Sequence, residues 1–135
     1  MSDELSYCVA IKPLQFFRSS EHVNVADVHK LAATIADTGV WTTPIPVDRE
    51  TGIIMDGNHR ARAAALLRLR YVPCVLLSYD DARVSVTHWR TGEPFRVDRI
   101  YEPILGAGQV LPYKTTRHRF APALPRTAIE LAVLR

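Results

Sequence analysis

Ile53-Ile54-Met55-Asp56-Gly57-Asn58-His59-Arg60 carries a short apolar run through an Asp-Gly step into an Ala/Leu/Arg-rich segment. The spacing predicts a strand that stops at Asp56 and a helix that starts at once. The first turn of such a helix has N–H groups without intrahelical partners and sits at the positive end of the helix dipole. Here it also carries His59 and Arg60. Gly57 lets the backbone approach a ligand with no Cβ in the way. Together these features predict an anion site at Gly57, Asn58, His59 and Arg60, and a nucleotide phosphate is the anion that suits it best.

The rest of the chain sets bounds on this reading. Its 135 residues suit one domain with one core, and 47% apolar residues with 23% charged ones read as globular. No apolar run approaches membrane-spanning length, and the acidic opening Met1-Ser2-Asp3-Glu4-Leu5 is unlike a secretory signal. The expected location is therefore the cytoplasm, with no membrane partner. Cys8 and Cys74 lie in apolar, strand-like runs without ligand spacing, so both are expected to be buried free thiols. The net charge of +3 is concentrated in two compact knots. One is Arg60, Arg62, Arg68 and Arg70; the other is Lys114, Arg117, His118 and Arg119. Compact knots suit phosphate recognition at a pocket better than tracking of a duplex, which disfavours nucleic acid as a partner.

Along the chain, a first strand is expected over 7–11, closed by Pro13, and an irregular segment over 14–24. Val25, Val28, Leu31, Ala32 and Ile35 share one helical face, with Asn24 as N-cap and Gly39 as the stop. Strands are predicted over 44–48 and 52–55, a central helix over 58–69, and further strands over 72–77 and 84–89. The segment 90–108 is broken by Pro and Gly and has room for one short helix. The fold class expected is α+β, a small mixed sheet with packed helices. It forms a single domain over 1–135 with its core at about 7–120. The tail 121–135 either caps the fold or contributes to an interface, and a homodimer is left open.

Several residues are suited to chemistry. Asp56, before the anion site, can hold Mg²⁺ against phosphate oxygens or simply cap the helix. Glu21, in a loop, can take a proton from a bound alcohol during phosphoryl transfer. In Lys114-Thr115-Thr116-Arg117-His118, Arg117 can clamp a carboxylate with two prongs, and Thr116 offers a hydroxyl. Trp89, at a strand end, is either core or pocket wall. No phosphate loop of the Gly-rich Lys-Ser/Thr type, nucleophile elbow or zinc spacing is present.

Read together, three stretches resemble the ParB/sulfiredoxin superfamily, and within it the small free-serine kinases. Pro44-Ile45-Pro46-Val47-Asp48 through Asp56-Gly57-Asn58-His59-Arg60 resembles the block PI-x-VD…DGHHR. Arg68 to Leu76 continues it, and Lys114 to His118 resembles PKTTRH. The likeness extends from about Glu21 to Phe120. It implies a ParB/sulfiredoxin-like fold and phosphorylation of free L-serine to O-phospho-L-serine, with ATP or ADP as donor and Mg²⁺. It implies Glu21 as base, Asp56 as catalytic aspartate and Mg²⁺ ligand, and residues 57–60 as the phosphate turn. Trp89, Thr116, Arg117 and His118 fall at the amino-acid site. The chain departs from the pattern at Asn58 and Ser20, where the family has histidines, at His22, where an acidic residue is common, and at Tyr113, where a proline stands.

Two relatives of the same superfamily fit less well. A DNA-partition clamp carries a helix-turn-helix region after this fold, which the residues beyond Phe120 are too few to supply. Sulfiredoxin chemistry needs a thiolate in the helix-opening turn, where this chain has Asn58. The alternative kept is a ParB-like nucleotide- or nucleic-acid-binding module without kinase activity.

Overall fold

β1 (Cys8–Pro13) pairs antiparallel with β4 (Tyr71–Leu77), and β3 (Ile45–Asp48) pairs parallel with the other edge of β4. This mixed sheet, in the order β1-β4-β3, is the centre of a computed structural model that describes residues 6–135. The acidic stretch Met1–Leu5 lies outside the described residues. Two-stranded pairs join β2 (Val40–Trp41) to β7 (Ile129–Glu130) and β5 (Val84–His88) to β6 (Thr116–Phe120). The α+β architecture is the one expected.

α1 (Val25–Thr38) begins and ends as its sequence dictates. Asn24 Oδ1 accepts from the Asp27 N–H at 3.1 Å, and Gly39, at φ 75°, ends the helix with its N–H on the Ile35 carbonyl. Val28, Ala32 and Ile35 are the buried stripe. α2 (Asn58–Leu66) packs against it with Ala61, Ala63 and Ala64 buried. It is shorter than the helix expected over 58–69, because Arg68 turns left-handed at φ 58° and swings Leu69 into the core.

The predicted strand over 52–55 is instead a pair of isolated bridges. Ile54 bridges Val47 and Ile53 bridges Arg18. After the turn at Asp48 the chain runs back along β3, so that Gly57 packs against the side chain of Ile45, near the start of that strand. The segment expected to be irregular opens with a 3₁₀ turn, Leu14–Phe16. The Pro/Gly-broken region forms α3 (Asp98–Tyr101), which runs on into a wider π turn, Glu102–Gly106. At the C-terminus, β7 and α4 (Leu131–Leu134) cap the fold, with Leu131 and Leu134 buried in the main core.

Cys74 is buried, as expected, but Cys8 is exposed. β1 is an edge strand, exposed at Cys8, Val9, Ile11 and Pro13, so an apolar run there does not imply burial. Among the described residues, no helix is long and apolar enough to cross a membrane.

Gly52 fixes the approach to the site. Its φ is 75°, and a Cβ built there would lie 2.0 Å from the Phe16 carbonyl oxygen. The Arg18 N–H donates to the Gly52 carbonyl at 2.8 Å, and the Ile54 N–H donates to the Arg18 carbonyl at 3.0 Å. These bonds lay the strand-like segment that leads to Ser20 and Glu21 against the turn after β3. Gly92 has the same φ but open space around it. Gly92→Ala should therefore cost about 1 kcal/mol, and Gly52→Ala at least about 3 kcal/mol because strain and overlap add. Urea unfolding midpoints of the two variants check this, and equal losses would contradict the close approach at residue 52.

Candidate functional site

One cleft, with a cavity volume of about 280 Å³, is lined by Glu21, Asp56, Gly57, Asn58, His59, Arg60, Trp89, Thr116, Arg117 and His118. All ten residues singled out in the sequence thus meet in one place. His22, Met55, Tyr113 and Lys114 complete the lining.

The opening of α2 forms one wall. Gly57 is its N-cap, at φ 107°, with no side-chain capping bond, so the helix does not use the Asp56 carboxylate. Asp56 is exposed and faces the cleft. The first intrahelical bond runs from the Ala61 N–H to the Gly57 carbonyl, which leaves the amides before it for an anion. The side chains of this turn have other partners. Asn58 Oδ1 accepts from the Ser20 N–H at 2.8 Å, and His59 Nε2 accepts from the Asn24 N–H at 3.0 Å. A ring nitrogen that accepts carries no proton, which assigns the His59 proton to Nδ1.

The opposite wall begins where Lys114 adopts a left-handed turn, φ 57°. That turn aims two amides at one carboxylate. Glu21 Oε1 accepts from the Lys114 N–H at 3.2 Å, and Oε2 accepts from the Thr116 N–H at 3.0 Å and the Thr116 hydroxyl at 2.6 Å. A carboxylate has about four acceptor positions, so one is left for a ligand proton. The Thr116 hydroxyl, expected to serve the ligand, donates instead to Glu21. Arg117 lies over Trp89, its Cζ 4.1 Å from the ring centroid, and Lys114 Nζ is 5.3 Å from the rings of both Trp89 and Tyr113. Trp89 is 37% exposed and belongs to the pocket wall, not to the core.

Among the described residues, the ion pairs are Arg83–Asp81 and Arg96–Asp98, and neither lines the cleft. Arg60, Lys114 and Arg117 therefore line it with no carboxylate within ion-pair distance. Aromatic faces hold two of these cations in place without neutralising them. This arrangement can take an anion of more than one charge.

His118 forms the back of the cleft. Its Nε2 is 2.9 Å from the Tyr79 hydroxyl, and burial holds its pKa down at about 4. Burial also pushes the Tyr79 hydroxyl up, so the pair is neutral over the ordinary pH range. Behind it, Tyr101 packs edge-on against Tyr79 and donates to the buried Asp48 at 3.2 Å. Sequence reading missed Tyr79 because the residue lies at the end of an apolar run, with no local sign that its hydroxyl reaches residue 118. Lys114 was within the recognised block, but only its left-handed backbone reveals its part in holding Glu21.

No protein-family model matches the chain. A ParB-like protein of Sulfolobus acidocaldarius is 37% identical over 46 residues, which are 34% of this chain and 23% of that protein. The match thus spans under a quarter of that relative's length. Among solved structures, a free serine kinase in complex with AMP superposes with a TM-score of 0.81 at 12% identity, covering 94% of this chain and 93% of that one. A mutant free serine kinase in complex with ADP gives 0.76 at 13% identity, covering 94% of each chain. SbnI with a C-terminal truncation, from Staphylococcus aureus, gives 0.76 at 13% identity, covering 94% of this chain and 89% of that one. The chain therefore has the ParB/sulfiredoxin-like fold that the sequence motifs implied.

The buried imidazole gives a pH signature. The unfolded chain takes up a proton on His118 as pH falls through about 6.5, whereas the folded chain resists it until about 4. Stability is lost across that window, on the order of 3 kcal/mol once complete. Urea midpoints of His118→Gln should thus fall less than those of the wild type between about pH 7 and pH 4. Identical pH slopes would mean that the ring is solvated.

Proposed function

We propose that this protein is a phosphotransferase that moves a phosphoryl group from ATP or ADP to the hydroxyl of free L-serine, giving O-phospho-L-serine. One observation carries the reading. A carboxylate with a spare acceptor position, Glu21, lies between a helix opening suited to phosphates and an Arg117–Trp89 pair suited to a small amino acid. The fold shared with structures described as free serine kinase, one of them bound to ADP, supports the same reading.

In this mechanism the backbone amides of 57–60, with Arg60, receive the donor phosphates. Arg117 grips the substrate carboxylate, Trp89 flanks it, and His118 and Thr116 bound the amino-acid pocket. Glu21 accepts the proton of the substrate hydroxyl while the oxygen attacks phosphorus, and the bond to the departing nucleotide breaks on the opposite side. Positioning and charge neutralisation supply most of the acceleration.

Mg²⁺ fits the residues present. Among the described residues, no group of three or more His, Cys, Asp or Glu side chains could hold a metal alone. Mg²⁺ bound chiefly by phosphates needs only one or two carboxylates, and Asp56 offers one at the right place. When bound, the ion would neutralise phosphate charge. The cytoplasm is the proposed location.

The decisive test mixes the protein with Mg²⁺, ATP or ADP, and a panel of amino acids, and seeks a product heavier by one phosphoryl group. Phosphoserine is expected. Nucleotide binding without any phosphorylated amino acid would favour the idle nucleotide-binding module instead. Asp56→Asn should abolish turnover without altering the fold, as circular dichroism would confirm. Glu21→Gln should lower kcat at least ~100-fold with nucleotide Kd within about threefold of wild type. A parallel loss of both would make Glu21 merely structural.

A further inference from the structure

At Ser20 and Glu21, the loop that presents the carboxylate is pinned to the opening of α2 by the Asn58 side chain. Asn58 Oδ1 accepts from the Ser20 N–H at 2.8 Å and, at the long end of the range, from the Glu21 N–H at 3.4 Å. Asn58 Nδ2 donates to Ser20 Oγ at 3.0 Å, and Ser20 Oγ donates to the Ile54 carbonyl at 2.6 Å. Ser20 is buried, so its N–H would lose its partner without gaining water if the set were broken. A carboxamide offers both the acceptor for two amides and the donor for the hydroxyl. His59, its neighbour, ties the same segment further on through the Asn24 N–H.

We infer that Asn58 is a positioning residue: its carboxamide clasps Ser20 and Glu21 to the phosphate-binding turn, so that one short segment sets both the donor phosphates and the proton acceptor. The inference rests on the proposed role of Glu21. It assigns the phosphate contacts of residue 58 to its backbone N–H and not to its side chain. The chain's departures from the family pattern at residues 20 and 58 are thus one feature, because the two side chains touch each other.

The clasp predicts a particular pattern of damage. Asn58→Ala should loosen Ser20 and Glu21 from α2, leaving their backbone bridge to Leu111 and the backbone amides that face the nucleotide. Glu21 should then lose its fixed place between the Lys114–Thr116 turn and α2, and turnover should suffer far more than nucleotide binding.

The test has two arms. In the first, amide hydrogen exchange is followed in the wild type, Asn58→Ala and Ser20→Ala. Amides of Ser20, Glu21, Lys114 and Thr116 should exchange at least ~10-fold faster in both variants, while those of β4 keep their protection. Unchanged exchange at these four amides would overturn the clasp, and Ser20→Ala decides the matter if Asn58→Ala does not fold. In the second arm, Asn58→Ala should lower kcat at least ~10-fold with ADP Kd within about threefold. It should have no further effect on a Glu21→Gln background, because both changes remove the same proton acceptor. A multiplicative loss in the double variant would overturn the positioning role. A wild-type protein that phosphorylates no amino acid would remove the proposed function, while the exchange arm would still decide the clasp.

Discussion

The Glu21 carboxylate is the tie on which the cleft depends. Its hydrogen bonds to Lys114 and Thr116 span 93 and 95 residues of chain. Bonds to a charged acceptor contribute about 1.5–3 kcal/mol each. They offset the backbone strain of a left-handed Lys114, which costs about 1–2 kcal/mol. On its other side the same residue is pinned to α2 through Asn58. Three elements distant in sequence therefore meet around one residue, through its carboxylate on one side and its backbone on the other. The sheet beneath them explains how, since the chain doubles back along β3 and delivers α2 beside the 20–24 loop.

Charge is divided sharply within the cleft. The front carries Arg60, Lys114 and Arg117, which have no ion-pair partner among the described residues, two of them held against aromatic faces. The back is uncharged at His118 and Tyr79, both kept neutral by burial, and Tyr101 leads from them to Asp48. A dianionic or trianionic ligand is thus drawn to one side of the cavity. The neutral, low-dielectric back strengthens every polar contact made at the front.

Much of this was legible in the residues. The strand–turn–helix junction at Asp56-Gly57, the caps of α1 at Asn24 and Gly39, and the ten cleft residues all followed from local pattern or from motif likeness. What escaped had non-local causes. The exposure of Cys8 depends on β1 being an edge, and the early end of α2 depends on a left-handed Arg68. The Tyr79–His118 bond joins two segments with no shared local signal. Asn58 read as a phosphate contact because its sequence context is the anion-binding turn; its side chain turns to Ser20 only because of how the loop folds back.

The central claim is that one cleft holds a nucleotide and a small amino acid at once, on opposite walls. Amide-resolved NMR with ADP and L-serine tests it most directly. ADP should shift the amides of Gly57 to Arg60, and L-serine added to that complex should shift Thr116 to His118 and the Trp89 indole without displacing the nucleotide. Serine that competes with ADP, or that leaves residues 116–118 and Trp89 untouched, would contradict the account.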